Sequence, residues 1–143
     1  MLLLQPRSTP PPIRETPGTV PFRVLVVEDD ADTASTCELL LQLQGLEVRT
    51  APDGPKALVA AQAFQPEVVL LDIGMPGMDG WEVARRLQAK STGKPPFLIA
   101  ITGYGREEDR RKSEEAGIAL HLLKPVNPRM LVGLLERFQR VVR

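Results

Sequence analysis

Cysteine is all but missing from this sequence. Cys37 stands alone among 143 residues, which excludes an intramolecular disulfide and a cysteine-based metal cage, and makes a reducing cytoplasm the natural compartment. An excess of either charge is missing too. Lys and Arg total 18 and Asp and Glu total 18, so no net field draws the chain to nucleic-acid phosphates or to an anionic bilayer. Neither nucleic acid nor membrane is expected as a partner. Long apolar runs are also absent: Met1-Leu2-Leu3-Leu4 opens like a signal peptide, but Gln5-Pro6-Arg7 ends the run before a targeting segment or a membrane span is complete. What is there is an ordinary globular composition, 43% hydrophobic and 25% charged, in a length that supports one domain.

Proline divides the chain. Residues 1–21 hold six of the 14 prolines, including Pro10-Pro11-Pro12, and show no apolar period, which predicts a flexible, partly polyproline-II tail without a task in the chemistry. Residues 22–143 form the domain. There, short apolar runs alternate with helical windows, the signature of βα units around a parallel sheet. The runs are Val24–Val27, Glu47–Ala51, Val68–Leu71, Phe97–Ile101 and Ile118–Leu123. Four are nearly continuous in aliphatic residues, as strands covered on both faces must be; Glu47–Ala51 alternates and reads as an edge. The windows are Asp32–Gln44, Pro55–Gln65, Gly80–Ala89, Arg106–Ala116 and Pro128–Val141. Asp53, Asp79 and Asn127 stand where N-caps belong, and Gly45 and Gly117 follow helix ends. The last window carries a full apolar stripe from Leu131 to Val142. The fourth, Arg106-Glu107-Glu108-Asp109-Arg110-Arg111-Lys112, has almost nothing to bury and is expected to shift or fray most readily.

Ligands of an open parallel sheet bind beyond the carboxyl ends of its strands. The first run ends in Glu28-Asp29-Asp30, the third in Asp72, the fourth in Thr102 and the fifth in Lys124-Pro125, so all four sets reach one edge. A single acid after a strand is usually a cap or a solvated turn. Several gathered together repel by a few kcal/mol per pair at an effective dielectric of about 20, so the cluster calls for a cation. Mg²⁺ suits it, being hard, oxygen-seeking and accustomed to bridging carboxylates and phosphates. Beside such an ion Asp72 would attack phosphorus through a carboxylate oxygen, and the Thr102 hydroxyl and Lys124 ammonium would bind the remaining phosphoryl oxygens.

These residues resemble the receiver domain of two-component response regulators. The resemblance covers residues 23 to 143 and rests on Glu28-Asp29 after Val24-Leu25-Val26-Val27, on Leu70-Leu71-Asp72-Ile73-Gly74-Met75-Pro76-Gly77-Met78-Asp79-Gly80, on Thr102-Gly103 and on Lys124-Pro125. It implies a flavodoxin-like α/β fold, a doubly wound five-stranded parallel sheet of order 2-1-3-4-5 with five helices. It also implies phosphorylation of Asp72 by a phosphohistidine on a histidine kinase or histidine phosphotransfer protein. Carried over by position, Asp29 and Asp72 bind Mg²⁺ directly, Glu28 acts through water, the Gly74 carbonyl is a further ligand, and Asp30 is a cap. Lys124-Pro125 is implied to be cis. Such domains are not enzymes toward outside substrates; they catalyse only their own phosphorylation and dephosphorylation.

Receiver domains switch by drawing the threonine, here Thr102, toward the phosphoryl group while an aromatic residue on the fifth strand turns inward. His121 holds that aromatic position. Its polarity and near-neutral titration leave two readings open, a modified gate and a surface histidine without a switching task. Gly74 and Tyr104 take the two variable flanking positions, and the combination implies a long-lived acyl phosphate. Trp81, Met75 and Met78 read as loop cover, and Cys37, beside Ala34 and Leu41, as buried packing. The fourth helix, fifth strand and fifth helix form the expected face for a downstream protein, with the chain a monomer or a phosphorylation-dependent homodimer and no output module expected. The alternative is a phosphorylation-independent protein-binding module on the same fold. Neither an aspartyl-phosphate phosphatase nor a flavin carrier fits: the first needs an aspartate where Gly74 stands, and the second needs a phosphate loop where Glu28-Asp29-Asp30 would repel it.

Overall fold

The computed structural model describes residues 21–90, 93–103 and 107–142. The proline-rich segment 1–20 and Tyr104 lie outside them. Strands β1 (Arg23–Val27), β2 (Glu47–Ala51), β3 (Val68–Asp72), β4 (Phe97–Thr102) and β5 (Leu120–Leu123) alternate with helices α1 (Ala31–Leu43), α2 (Gly54–Phe64), α3 (Gly80–Lys90), α4 (Glu107–Glu115) and α5 (Pro128–Val142). All strands are parallel and lie in the order β2-β1-β3-β4-β5.

Why the strands read as unbroken apolar runs is visible in their two faces. Leu25, Val27, Val69, Leu71, Leu98 and Ala100 point into one core with Ala57, Phe64, Val83 and Leu87 of α2 and α3. Their neighbours Val24, Val26, Val68, Leu70 and Ile99 point into the other, with Leu41 of α1 and Leu131 and Leu135 of α5. A strand buried on both sides has no polar face to show. β2 shows the opposite, with Glu47, Arg49 and Thr50 exposed, in keeping with its place at an edge.

β5 departs from the sequence expectation. Its place at the second edge agrees with the strand order the resemblance implied, but its residues are half-buried or exposed where the continuous apolar run read as a strand covered on both faces. It starts at Leu120; Ile118 is buried just before it, so apolar character extended the sequence-based strand beyond the ladder.

Caps fix where the helices begin and end. Asp53 Oδ1 accepts the Lys56 amide at 2.8 Å, Asp79 Oδ1 that of Glu82 at 2.9 Å, and Asn127 Oδ1 that of Arg129 at 2.9 Å. Gly45 and Gly117 follow α1 and α4 with φ of 87° and 86°, a conformation open to a residue lacking Cβ. α2 ends without glycine: Gln65 takes φ 53°, and its carbonyl accepts a 2.8 Å hydrogen bond from Arg23 Nε. α5 then runs back along the sheet, bringing Phe138 within 6.0 Å of Phe22 and 4.1 Å of Phe97 between ring centroids. No helix among the described residues is long and apolar enough to cross a membrane.

Candidate functional site

Strand register assembles the site. Val27 lies opposite Leu71, which sets Glu28 beside Asp72 at the carboxyl edge; Asp72 pairs with Ile101, so Thr102 stands one residue further out. Thr102 pairs with Leu123, and the Lys124 amide donates to the Thr102 carbonyl at 2.8 Å. The Lys124-Pro125 peptide is cis, as the resemblance implied.

Asp72 is 6% exposed, and its two carboxylate oxygens have different partners. Oδ1 accepts the Gly74 amide at 3.0 Å, and Oδ2 lies 3.3 Å from Lys124 Nζ. Lys124 is shared, its ammonium also lying 3.8 Å from Glu28 Oε1. Glu28 is nearly as enclosed, at 8% exposure, and burial pushes its carboxyl up to about 7. The hydrogen bond from the Asp30 amide opposes that rise, the Asp72 charge adds to it and the Lys124 charge offsets it. Asp29 is exposed, and one carboxylate oxygen from each of Glu28, Asp29 and Asp72 falls within 4.8 Å of the others. The three carboxylates are a hard, oxygen-only donor set that outnumbers the one ammonium beside it, which is what a small divalent cation requires. Asp30 stands apart as the N-cap of α1, its carboxyl held below the usual range by the Thr33 hydroxyl and amide.

A cavity of about 480 Å³ opens from this edge between α1 and α5, walled by Glu28, Asp72, Lys124, Cys37, Leu41 and Leu131. Sequence patterning gave no sign of it, because its walls come from helices far apart in the chain. Cys37 packs against the core as expected, and burial, seconded by the Glu28 charge, pushes its thiol up to about 11.

Two readings need correction. Met75 is core rather than loop cover, only 5% exposed, with Met78 packed on the same cluster. Trp81 is no loop cover either: its indole Nε1 donates to Ser113 Oγ at 3.0 Å, and Lys112 Nζ lies 4.9 Å from its ring centroid. Sequence reasoning passed over Ser113 because a serine among charges looks solvated; it is in fact buried. His121 is half-buried, with Nε2 enclosed and without a hydrogen-bond partner among the described residues. Burial, then the Arg110 charge, holds its pKa below the usual imidazole value.

A doubly wound sheet of order 2-1-3-4-5, with clustered acids and a lysine beyond its carboxyl edge, defines a flavodoxin-like α/β domain of the acidic-pocket kind. More particularly, the chain belongs to the response regulator receiver domain family, whose sequence profile matches residues 24–136. It is 38% identical over 123 residues to the response regulator PleD of Caulobacter vibrioides, covering 84% of this chain and 27% of PleD. The transcriptional regulatory protein PrrA of Mycobacterium tuberculosis is 36% identical over 126 residues, covering 88% of this chain and 52% of PrrA. The chain thus spans about half or less of these regulators. An uncharacterized 14.6 kDa protein of Leptolyngbya boryana is 36% identical over 115 residues, 80% of this chain and 88% of its own length. Among solved structures, the chemotaxis protein CheY4 of Vibrio cholerae superposes with a TM-score of 0.78 at 31% identity, covering 82% of this chain and 98% of CheY4.

Proposed function

We propose that this receiver domain is a phosphoryl-accepting switch in which Asp72 takes the group from a phosphohistidine on a histidine kinase or histidine phosphotransfer protein. One observation carries the reading: an enclosed carboxylate with an ammonium 3.3 Å from one oxygen and two further carboxylates within 4.8 Å. An Asp72 oxygen attacks phosphorus, the P–N bond breaks, and the donor imidazole leaves with its electron pair and takes up a proton. Lys124, already at the carboxylate, pairs with phosphoryl oxygen, and Thr102 on the adjacent strand offers its hydroxyl to another. Asp29, Asp72, the Gly74 carbonyl and, through water, Glu28 would hold Mg²⁺, which when bound would supply positive charge to offset that of the transferring group.

The switch is read by a protein partner at the face of α4, β5 and α5, with phosphorylation shifting the balance between two poses. His121, set in that face with an enclosed nitrogen that has no hydrogen-bond partner among the described residues, takes part in the shift with a polar imidazole in place of a carbocyclic aromatic ring. Incubation of the full chain with a small-molecule phosphodonor and Mg²⁺ tests the reading by intact mass. A gain of one phosphoryl group, lost in Asp72→Asn and suppressed by EDTA, is expected. An unchanged wild-type mass would favour a binding module that works without phosphorylation.

A further inference from the structure

The β3–α3 segment is pressed directly on the residue that follows Asp72. The Gly80 amide donates to the Ile73 carbonyl at 3.3 Å, and a Cβ added at Gly80 would lie 2.7 Å from Ile73 Cα, so no side chain fits between them. Trp81 comes next and reaches across to α4. Among its described residues α4 buries one side chain, Ser113, and that hydroxyl is the one the indole N–H engages. The Lys112 ammonium over the indole ring adds a second tie from the same helix. A helix with so little else to bury takes its position from the few contacts it has.

We infer that Trp81 is a latch coupling the Asp72 loop to α4, and that its hydrogen bond to Ser113 holds α4 in the pose belonging to the unmodified carboxylate. In this pose both Asp72 oxygens are engaged by the chain's own donors, Gly74 N and Lys124 Nζ. A phosphoryl group on either oxygen displaces its donor. The Ile73 backbone is the nearest element to respond, because its amide bonds the Ile101 carbonyl beside Thr102 while its carbonyl bonds Gly80. Movement there is handed to Trp81 one residue on, and the latch opens. An interaction present in one of two poses biases the equilibrium by its own free energy, so removing it favours the other pose and whatever binds that pose.

The inference rests on the phosphoacceptor reading, and the experiment separates the two. Mg²⁺ and beryllofluoride, a phosphoryl mimic, are titrated into the full chain, with bound fluoride followed by ¹⁹F NMR and the indole by its emission. Trp81 is the chain's single tryptophan, so indole emission reports its surroundings, the Ser113 and Lys112 ties together. Loading the wild type should shift the emission. Ser113→Ala and Trp81→Phe should each tighten beryllofluoride binding by roughly two- to tenfold, the equivalent of one net hydrogen bond. Because both remove the same bond, the double variant should bind no tighter than the better single. Unchanged emission, or wild-type affinity in Ser113→Ala, would overturn the latch and leave the phosphoacceptor reading standing. Additive effects in the double variant would do the same, since they would mean two unrelated packing roles. No bound fluoride in the wild type would remove the phosphoacceptor reading and the latch with it.

Discussion

Gly80 and Cys37 illustrate how far a single position is bound by its surroundings. At Gly80 the neighbour a side chain would strike is backbone, Ile73 Cα at 2.7 Å, and a backbone cannot swing aside. Gly80→Ala should therefore destabilise the fold by about 1–3 kcal/mol, read from the urea unfolding midpoint at unchanged slope. At Gly54 an added Cβ would meet Met78 Sδ and Val83 Cγ2 at 2.9 Å and Met78 Cβ at 3.0 Å, and neither a Cβ nor the buried, branched Val83 swings aside easily, so Gly54→Ala should also destabilise the fold. Cys37 carries a pH signature. Its thiol is raised from 9.0 to about 11 by burial, so the native state binds the proton more tightly than the unfolded state. The stabilisation from that group is complete below about pH 9, where the thiol is protonated in both states, and is lost as pH rises through 11. Labelling by a thiol reagent at pH 8 should accordingly be much slower in the native protein than in urea, and a rate equal to that of the unfolded chain would contradict the burial described.

Between elements the contrast is one of anchoring. α5 inserts Leu131 and Leu135 into the core it shares with β1, β3 and α1, and Leu135 is 0% exposed. Leu135→Ala should cost about 2–5 kcal/mol in unfolding free energy, the transfer loss plus the cavity left behind. The stripe on α5 and the emptiness of α4 were both legible in the sequence, since each depends on the period of apolar residues within one segment. What held α4 was not legible. Trp81 and Ser113 are 32 residues apart, and neither breaks a local rule, so only their meeting in space gives the pair a meaning. The exposure of β5 was not legible in its own residues for a related reason, although the strand order implied by the resemblance put it at an edge. Ile118 and Leu120 through Leu123 look like a covered strand, yet the sheet ends at β5 and leaves it half-buried.

Across the whole molecule the candidate site was readable because its residues sit at strand ends, where a parallel sheet leaves little choice of position. Asp72 and Lys124, 52 residues apart, meet at 3.3 Å because β3, β4 and β5 are consecutive in space. The cavity between α1 and α5 was not readable, since helix spacing is a property of packed side chains. If the acids hold Mg²⁺ as proposed, saturating the ion should stabilise the fold by about 2.7 kcal/mol at a hundredfold excess over its dissociation constant. The melting temperature should rise with Mg²⁺, fall back with EDTA and respond weakly in Asp29→Asn; an equal rise in that variant would place the ion elsewhere. The cluster of Phe22, Phe97 and Phe138 carries one more consequence. It gathers the start of β1 and the closing turns of α5 at the rim farthest from the carboxylates. A handle grafted ahead of Phe22 or behind α5 would tether the molecule to a sensor surface by its floor, leaving the pocket open to arriving donors.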